Sequence, residues 1–296
     1  MLAGKVALVT GGGRGIGRAI ALGLAAEGAA VVVNDLGSAQ DGAGADASPA
    51  QQVADEIRGL GGQALANGAS VADPAGAASI VADAVERFGR IDVVVNCAGI
   101  LRDRIWHKLS LKDWRAVIDV HLNGTFNVSK AATPYFREQQ SGSFIHFTSG
   151  SGVVGNVGQA NYAAAKMGIV GLSQSIALDM MRLGVRSNCI APIAYTRMLG
   201  SVVDAPGAEG VPPERYAAMG PEHVAPLVVY LASDAAAGVT NQVFGVRGGE
   251  ICLFSKPRPM AAATPAQGWS PQAIAEEVMP KWRAILPRAD GTAMHR

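Results

Sequence analysis

The sequence is poor in charged residues, aromatic residues and cysteine, and each scarcity excludes a class of protein. Only 17% of its 296 residues are charged and the formal net charge is +1, without a basic block, so no nucleic-acid partner is expected. The three cysteines lie far apart without metal-ligand spacing, which predicts no metal site and a reducing compartment. No apolar run is long enough to cross a bilayer and none resembles a signal peptide, so we expect a cytoplasmic protein without a membrane partner.

Glycine, by contrast, is abundant, and its first cluster follows the first apolar run. Residues 6–9 predict a strand buried on both faces, and residues 18–27 predict an amphipathic helix. Between them lie Gly11, Gly15 and Gly17, which let a backbone turn approach a ligand closely. A strand, a glycine turn and a helix N-terminus together form a phosphate site, so we predict a bound dinucleotide.

Asp35 ends the second predicted strand, residues 31–34, and indicates which dinucleotide binds. A carboxylate at this place accepts hydrogen bonds from both hydroxyls of the adenosine ribose, and its charge repels a 2′-phosphate. The residue therefore favours NAD over NADP, although nearby Arg14 leaves NADP open. The alternative is that Asp35 only caps a turn.

Apolar strand-like runs alternate with helical segments along most of the chain. This alternation predicts an α/β fold, a doubly wound parallel sheet of about seven strands with helices on both faces. We expect residues 1–255 to form this domain, with a substrate flap at about 197–222. Residues 256–296 predict a C-terminal arm and a short helix that begins at Ser270 and Pro271 and is ended or kinked by Pro280.

Three side chains suited to proton transfer lie between residues 149 and 166. Tyr162 and Lys166 are four apart in a predicted helix, so they share one face. Ser149 follows a strand-like run, residues 143–148. A positive charge beside a phenol lowers the tyrosine pKa, and a nearby hydroxyl can hold a substrate oxygen. The three residues therefore predict acid–base chemistry at an alcohol or carbonyl oxygen.

Together these motifs resemble the short-chain dehydrogenase/reductase family over about residues 4–250. The matching motifs are Thr10-Gly11-x-x-x-Gly15-Ile16-Gly17, Asn96-x-Ala98-Gly99, Ser149, Tyr162-x-x-x-Lys166, and Asn188-x-Ile190-x-Pro192 followed by Thr196. The resemblance implies a Rossmann fold, a nicotinamide cofactor and a homodimer or homotetramer. It implies that Tyr162 exchanges a proton with the reacting oxygen, Ser149 orients that oxygen, and Lys166 tunes Tyr162 and binds the nicotinamide ribose. The cofactor-binding set expected on this basis is Gly11, Arg14, Gly15, Ile16, Gly17, Asp35, Leu36, Ser70, Val71, Asn96, Ala98, Gly99, Tyr162, Lys166, Pro192 and Thr196.

Within that family, other segments are similar to the (3R)-hydroxyacyl-CoA dehydrogenase domain of peroxisomal multifunctional enzyme type 2 and its bacterial stand-alone relatives. They are residues 34–37, 100–104, 155–162 and 221–228. This resemblance implies that NAD oxidises a 3-hydroxyacyl-CoA, with a fatty or steroid side-chain acyl group, to the 3-oxoacyl-CoA. A hydroxysteroid dehydrogenase or a 3-oxoacyl-thioester reductase is the alternative within the class. A non-catalytic dinucleotide-binding sensor or scaffold is the alternative outside it.

One residue departs from the family at a catalytic position. Many members have a catalytic asparagine three residues before the glycine that is Gly124 here, and this chain has His121. Either His121 carries a water-mediated proton relay, or it packs within the helix. The candidates for binding CoA phosphates are the basic residues near the expected entrance: Arg102, Arg104, Lys108 and Arg197.

Overall fold

In the computed structural model, residues 1–193, 219–265 and 268–286 are described, and they divide into two units. The first is Met1–Phe254 and the second is Ser255–Arg296. Thr196 and residues 197–218 of the predicted flap lie outside the described residues.

The first unit is built on one sheet, for which the described residues supply eight strands in the order β3-β2-β1-β4-β5-β6-β7-β8. The strands are β1 Val6–Thr10, β2 Ala30–Asn34, β3 Ala64–Asn67, β4 Val93–Asn96, β5 Gly142–Phe147, β6 Val185–Ile193, β7 Val243–Arg247 and β8 Glu250–Leu253. Strands β1 to β7 pair in parallel, and β8 returns antiparallel along β7. The expected doubly wound parallel fold is confirmed, but the expectation of about seven strands missed β8.

Helices cover both faces of this sheet. They are α1 Gly15–Ala26, α2 Ser48–Gly59, α3 Pro74–Phe88, α4 Leu111–Ile118, α5 Gly124–Gln139, α6 Gly150–Val154, α7 Ala160–Met180 and α8 Ala225–Ala232. One hydrophobic cluster joins the sheet to residues of α1, α2 and α8, and a second joins it to residues of α3 and α5. The central strands are buried on both faces, which explains their continuous apolar sequences.

A π-helical turn, Asp119–Asn123, joins α4 to α5. The apolar residues Val117, Val120 and Val128 keep a helical spacing through this point, so the sequence alone gives no sign of the turn. A π turn holds one extra residue in the helix and changes the direction of the side chains within it. His121 lies in this turn and is buried.

The second unit is described from Ser255 to residue 265 and from residue 268 to residue 286. It contains a helical segment that begins where the sequence predicted, with the Ser270 hydroxyl accepting a hydrogen bond of 3.0 Å from the amide of Ala273. The segment passes through Pro271–Ala273, a π turn at Ile274–Val278, and Met279–Trp282. Pro280 has no N–H to donate, yet it does not end the helix. It lies in Met279–Trp282, directly after the π turn.

Candidate active site

A cavity of about 270 Å³ lies along the carboxyl ends of the central strands in the first unit. The predicted residues that line it are Gly11, Arg14, Gly15, Ile16, Gly17, Asp35, Leu36, Ser70, Val71, Ala98, Gly99, His121, Tyr162, Lys166 and Pro192. They come from seven parts of the chain, and the strand order brings them together at one edge of the sheet, where open α/β sheets bind ligands. The cavity therefore joins the predicted dinucleotide site to the predicted acid–base residues.

The glycine turn at the start of α1 is packed against its surroundings too closely for larger residues. A Cβ on Gly17 would lie 2.0 Å from the carbonyl oxygen of Gly11. Gly11 has a φ of +66°, and its Cβ would lie 2.8 Å from the Cα of Ala98. The turn thus leaves backbone rather than side chains at the cavity wall, as the approach of a pyrophosphate requires.

The Asp35 carboxylate organises the loops at one end of the cavity. Its Oδ2 accepts a hydrogen bond of 2.9 Å from the amide of Gly13, and its Oδ1 accepts one of 2.7 Å from the amide of Gly37. A carboxylate has lone pairs for further donors, so it can still receive ribose hydroxyls. Arg14 donates to the carbonyl oxygen of Ser38 at 3.1 Å. These contacts fit a nicotinamide dinucleotide whose adenosine ribose binds at Asp35.

Asn96 does not line the cavity, although the sequence placed it in the cofactor-binding set. Its side-chain amide donates to the Ser129 hydroxyl and contacts the Nδ1 of His146, both at 3.1 Å, and all three residues are buried. The neighbouring turn is held by the Thr10 hydroxyl, which accepts hydrogen bonds from the amides of Cys97 and Ala98 at 3.1 and 3.2 Å. Asn96 is therefore held in the core, next to the turn that forms part of the cavity wall.

The predicted acid–base residues come together at the other end of the cavity. Lys166 is buried, and its ammonium group donates to the carbonyl oxygen of Phe147 at 2.6 Å and lies 5.5 Å from the centre of the Tyr162 ring. Ser149 caps the short helix α6, and its hydroxyl accepts from the amide of Ser151 at 3.2 Å. The Ser149 hydroxyl is within hydrogen-bonding reach of the Tyr162 hydroxyl. Ser149 itself is not part of the cavity lining.

Burial dominates the ionisation of this group, and here the sequence-based expectation was wrong. We expected the lysine to lower the tyrosine pKa, but burial raises the pKa of Tyr162 to about 12, and the Ser149 hydrogen bond only partly opposes this. Burial also lowers the pKa of Lys166 to about 8. A poorly hydrated ammonium loses its proton more easily, so the lysine is a weaker positive charge near neutral pH than its sequence position suggests.

His121 faces the same end of the cavity and contacts Tyr162 edge to face, with ring centres 5.1 Å apart. Its Nε2 lies 3.0 Å from the amide nitrogen and 2.8 Å from the carbonyl oxygen of Ile100. Its buried Nδ1 has no hydrogen-bond partner among the described residues. Burial, reinforced by the charge of Lys166, lowers the pKa of His121 to about 3. The ring is therefore neutral at physiological pH.

Sequence reasoning missed several residues of the cavity wall. They are Asn34, Ser38, Ala39, Gln40, Gly42, Ala69, Cys97, Ile100, Val120, Phe147 and Thr148. Asn34 ends β2, Cys97 follows β4 and Thr148 follows β5. Their positions at the carboxyl ends of strands could therefore have identified them from the sequence. Burial raises the pKa of the Cys97 thiol to about 12, which makes it a poor nucleophile. No group of three or more potential metal ligands occurs in the described parts of the chain.

Comparison with known proteins identifies the family. The profile of the short chain dehydrogenase family matches residues 5–206. The hydroxyacyl-CoA dehydrogenase ChsB1 of Mycobacterium tuberculosis is 44% identical over 268 residues, covering 86% of this chain and 81% of that protein. Peroxisomal multifunctional enzyme type 2 of Drosophila melanogaster is 40% identical over 98% of this chain, which spans 48% of its length. The crystal structure of a short chain dehydrogenase from Mycobacterium avium has a TM-score of 0.84 and 41% identity, covering 97% of both chains.

Proposed function

Because the chain belongs to the short-chain dehydrogenase family, and is therefore an oxidoreductase acting on CH–OH groups, we propose that it oxidises a 3-hydroxyacyl-CoA to the 3-oxoacyl-CoA with NAD. The observation that carries this proposal is that the glycine turn and Asp35 line the same cavity as Tyr162 and Lys166. The acyl-CoA substrate is supported by similarity to a hydroxyacyl-CoA dehydrogenase and to a multifunctional enzyme. The acyl group is a fatty chain or a steroid side chain.

Each part of the cavity has a separate task in this reaction. A bound nicotinamide dinucleotide supplies the hydride acceptor. Tyr162, once its own proton has left and it is a phenolate, takes the proton of the substrate hydroxyl, and Ser149 holds that hydroxyl in place. Lys166, anchored on the carbonyl oxygen of Phe147, is positioned beside the phenol and contributes positive charge when it is protonated. Because burial raises the pKa of Tyr162, the phenol keeps its proton near neutral pH and is in the form that can donate to the reacting oxygen in the reverse reaction.

His121 serves in this proposal as a positioning residue rather than as a proton carrier. Its depressed pKa of about 3 keeps it from gaining a proton near neutral pH. Its Nε2 is engaged by the backbone of Ile100, and its ring edge contacts Tyr162. The histidine thus fixes the loop after β4 against the phenol.

NAD is proposed over NADP because of the charge at the adenosine end. The Asp35 carboxylate lines the cavity where the ribose of the cofactor is expected, and a 2′-phosphate there would be repelled. Arg14 also lines the cavity and favours NADP, but its guanidinium already donates to the carbonyl oxygen of Ser38.

A homodimer or homotetramer is proposed from the outer faces of two helices. Phe126 on α5, and Met167 and Leu178 on α7, are large apolar side chains that lie exposed. Ala164, Gly171 and Ser175 are also exposed on α7, and together with Met167 and Leu178 they follow one another at spacings of three and four residues, so they share one face of the helix. The molar mass in solution, measured by light scattering, tests this proposal.

An NAD-coupled assay separates the candidate functions. We expect NADH production with 3-hydroxyacyl-CoA substrates, little with free hydroxysteroids, and a lower kcat/KM with NADP. Tyr162→Phe removes the group that accepts the proton, so it should abolish turnover while leaving NAD affinity nearly unchanged. Preference for NADPH and a 3-oxoacyl thioester would favour the reductase. Absence of turnover with every alcohol, despite tight NAD binding, would favour the non-catalytic module.

A further inference from the structure

We infer that residues 104–115, here called the basic segment, bind the nucleotide part of the coenzyme A substrate. This inference rests on the proposed function and assigns a docking place for the end of the substrate that is remote from the chemistry. Coenzyme A ends in an adenine ring, a 3′-phosphate and a pyrophosphate. A protein surface that holds it needs a flat apolar face beside several positive charges.

Positive charge is concentrated in the basic segment. It carries Arg104, Lys108, Lys112 and Arg115 but one acidic residue, Asp113, whereas the whole chain has a net charge of only +1. All four cations are exposed. The Asp113 carboxylate accepts from the Ser110 hydroxyl at 2.7 Å and pairs with Arg102 at 3.5 Å. Arg102 thus partly neutralises the charge of Asp113, and the exposed surface of the basic segment remains positive.

The same segment presents an aromatic ring to solvent. Trp106 opens the 3-10 turn Trp106–Lys108 and is 73% exposed, and its neighbour Ile105 is 48% exposed. Tryptophan is usually well buried, so an exposed indole beside cations indicates a binding surface. An adenine ring stacks on such a face, and base–aromatic stacking of this kind stabilises nucleotide binding.

The basic segment begins beside the reacting group. Asp103, the residue before it, is close enough to Tyr162 for its negative charge to raise the tyrosine pKa. The Oδ2 of Asp103 accepts from Gln159 at 2.8 Å, and the amide of Arg104 donates to the carbonyl oxygen of Gly158 at 2.8 Å. These bonds join the loop after β4 to the residues just before α7. The basic segment therefore starts close to the place where a substrate hydroxyl would contact Tyr162.

Neighbouring residues indicate which cations can bind the phosphates of coenzyme A and where its adenosine can lie. Arg102 donates to the carbonyl oxygen of Asp41 at 2.7 Å besides pairing with Asp113, so it holds loops together and is a poor phosphate ligand. Arg197 lies outside the described residues. The adenosine of the cofactor is expected at Asp35, whose negative charge repels a phosphate-rich group there. A second adenosine-containing ligand is therefore directed to the basic segment.

The test compares two substrates with the same acyl group, the CoA thioester and the N-acetylcysteamine thioester, which lacks the nucleotide. We expect Trp106→Ala and Lys108→Gln each to raise the KM for the CoA thioester, by about tenfold for Trp106→Ala. Neither should change kcat, nor the KM for the short thioester. Trp106→Phe, which keeps a flat ring, should restore most of the affinity. Arg137→Gln, an exposed cation near the end of α5, is the matched control and should leave both KM values unchanged.

Two outcomes overturn the inference while the proposed function stands. One is an equal KM of the unaltered enzyme for the two thioesters. The other is a rise in KM that is the same for both thioesters in the Trp106→Ala and Lys108→Gln variants, which would show that these residues act on the acyl group or the fold. Failure of the unaltered enzyme to oxidise either thioester defeats the proposed function itself, and this inference with it.

Discussion

At the scale of single residues, the candidate site depends on glycines whose missing Cβ leaves room for a neighbour. Gly99 lines the cavity, and a Cβ on it would lie 2.4 Å from the Cε1 of His121. The His121 ring in turn contacts Tyr162 and the backbone of Ile100. The absence of a side chain at Gly99 therefore leaves room for the histidine that contacts the Tyr162 phenol.

This arrangement predicts a coupling between Gly99 and His121. Gly99→Ala forces the imidazole or the loop after β4 to move, which should lower the free energy of unfolding by about 1–3 kcal/mol. His121→Asn shortens the side chain, so the double variant should be more stable than the sum of the two single effects by about 1 kcal/mol or more. Chemical denaturation of the four proteins measures this coupling.

The matched control for that cycle is Gly238→Ala. A Cβ on Gly238 meets nothing within 4 Å, so its effect should add to that of His121→Asn without coupling. Additive effects of Gly99→Ala and His121→Asn as well would show that the two residues do not compete for the same space.

At the scale of elements, the sequence was informative wherever one physical rule decided the outcome. Continuous apolar runs marked the buried parallel strands. The pair Asp73-Pro74 is typical of a helix start, and at the start of α3 the Asp73 carboxylate accepts a hydrogen bond of 3.0 Å from the amide of Gly76. Strand β8 was missed because Glu250–Leu253 is only four residues long and exposed, so its short apolar run does not distinguish a strand. The π turn was missed because one extra residue hardly disturbs the helical spacing of apolar side chains.

The turn between β1 and α1 supplies the prediction at this scale. Gly17→Ala would place a Cβ 2.0 Å from the backbone oxygen of Gly11, which cannot move away without opening the turn. We expect a lower melting temperature and an NAD affinity reduced by about tenfold or more, because the amides at the helix N-terminus lose their alignment. Calorimetric titration with NAD measures the loss.

Gly59→Ala is the matched control for Gly17→Ala, because each adds a Cβ to a helix residue. Gly59 is the last residue of α2, and a Cβ there meets nothing within 4 Å. Alanine should leave NAD affinity unchanged and raise the free energy of unfolding by at most about 1 kcal/mol. Unchanged NAD affinity in Gly17→Ala would show that the turn does not form the phosphate site.

At the scale of the whole molecule, the sequence predicted which residues meet at one sheet edge but not how they ionise. Strand order follows from the alternation of elements, and it was enough to bring Asp35 and Tyr162 to one cavity. The pKa of Tyr162 depends instead on how completely the surrounding chain excludes water. The buried group of Asn96, Ser129 and His146 joins residues 33 and 50 positions apart, which no local pattern reveals.

Two buried histidines predict how the stability of the molecule changes with pH. Burial lowers the pKa of both His121 and His146 to about 3, whereas an unfolded histidine titrates near 6.5. Below pH 6.5 the unfolded chain therefore binds protons that the folded chain does not. The free energy of unfolding should fall as the pH falls, by about 1.4 kcal/mol per pH unit for each histidine. Denaturant titrations between pH 6 and pH 5, where most carboxylates stay ionised, measure the slope.

His146→Gln isolates one of these two contributions. The glutamine side chain does not titrate, and its carbonyl oxygen can accept from the Asn96 amide that contacts His146 Nδ1. His146 lies outside the cavity lining, so the variant should keep its affinity for NAD. Its slope of stability against pH should be shallower than that of the unaltered protein by about 1.4 kcal/mol per pH unit. Equal slopes would mean that His146 gains its proton in the folded state as easily as in the unfolded one, and that water reaches this part of the core.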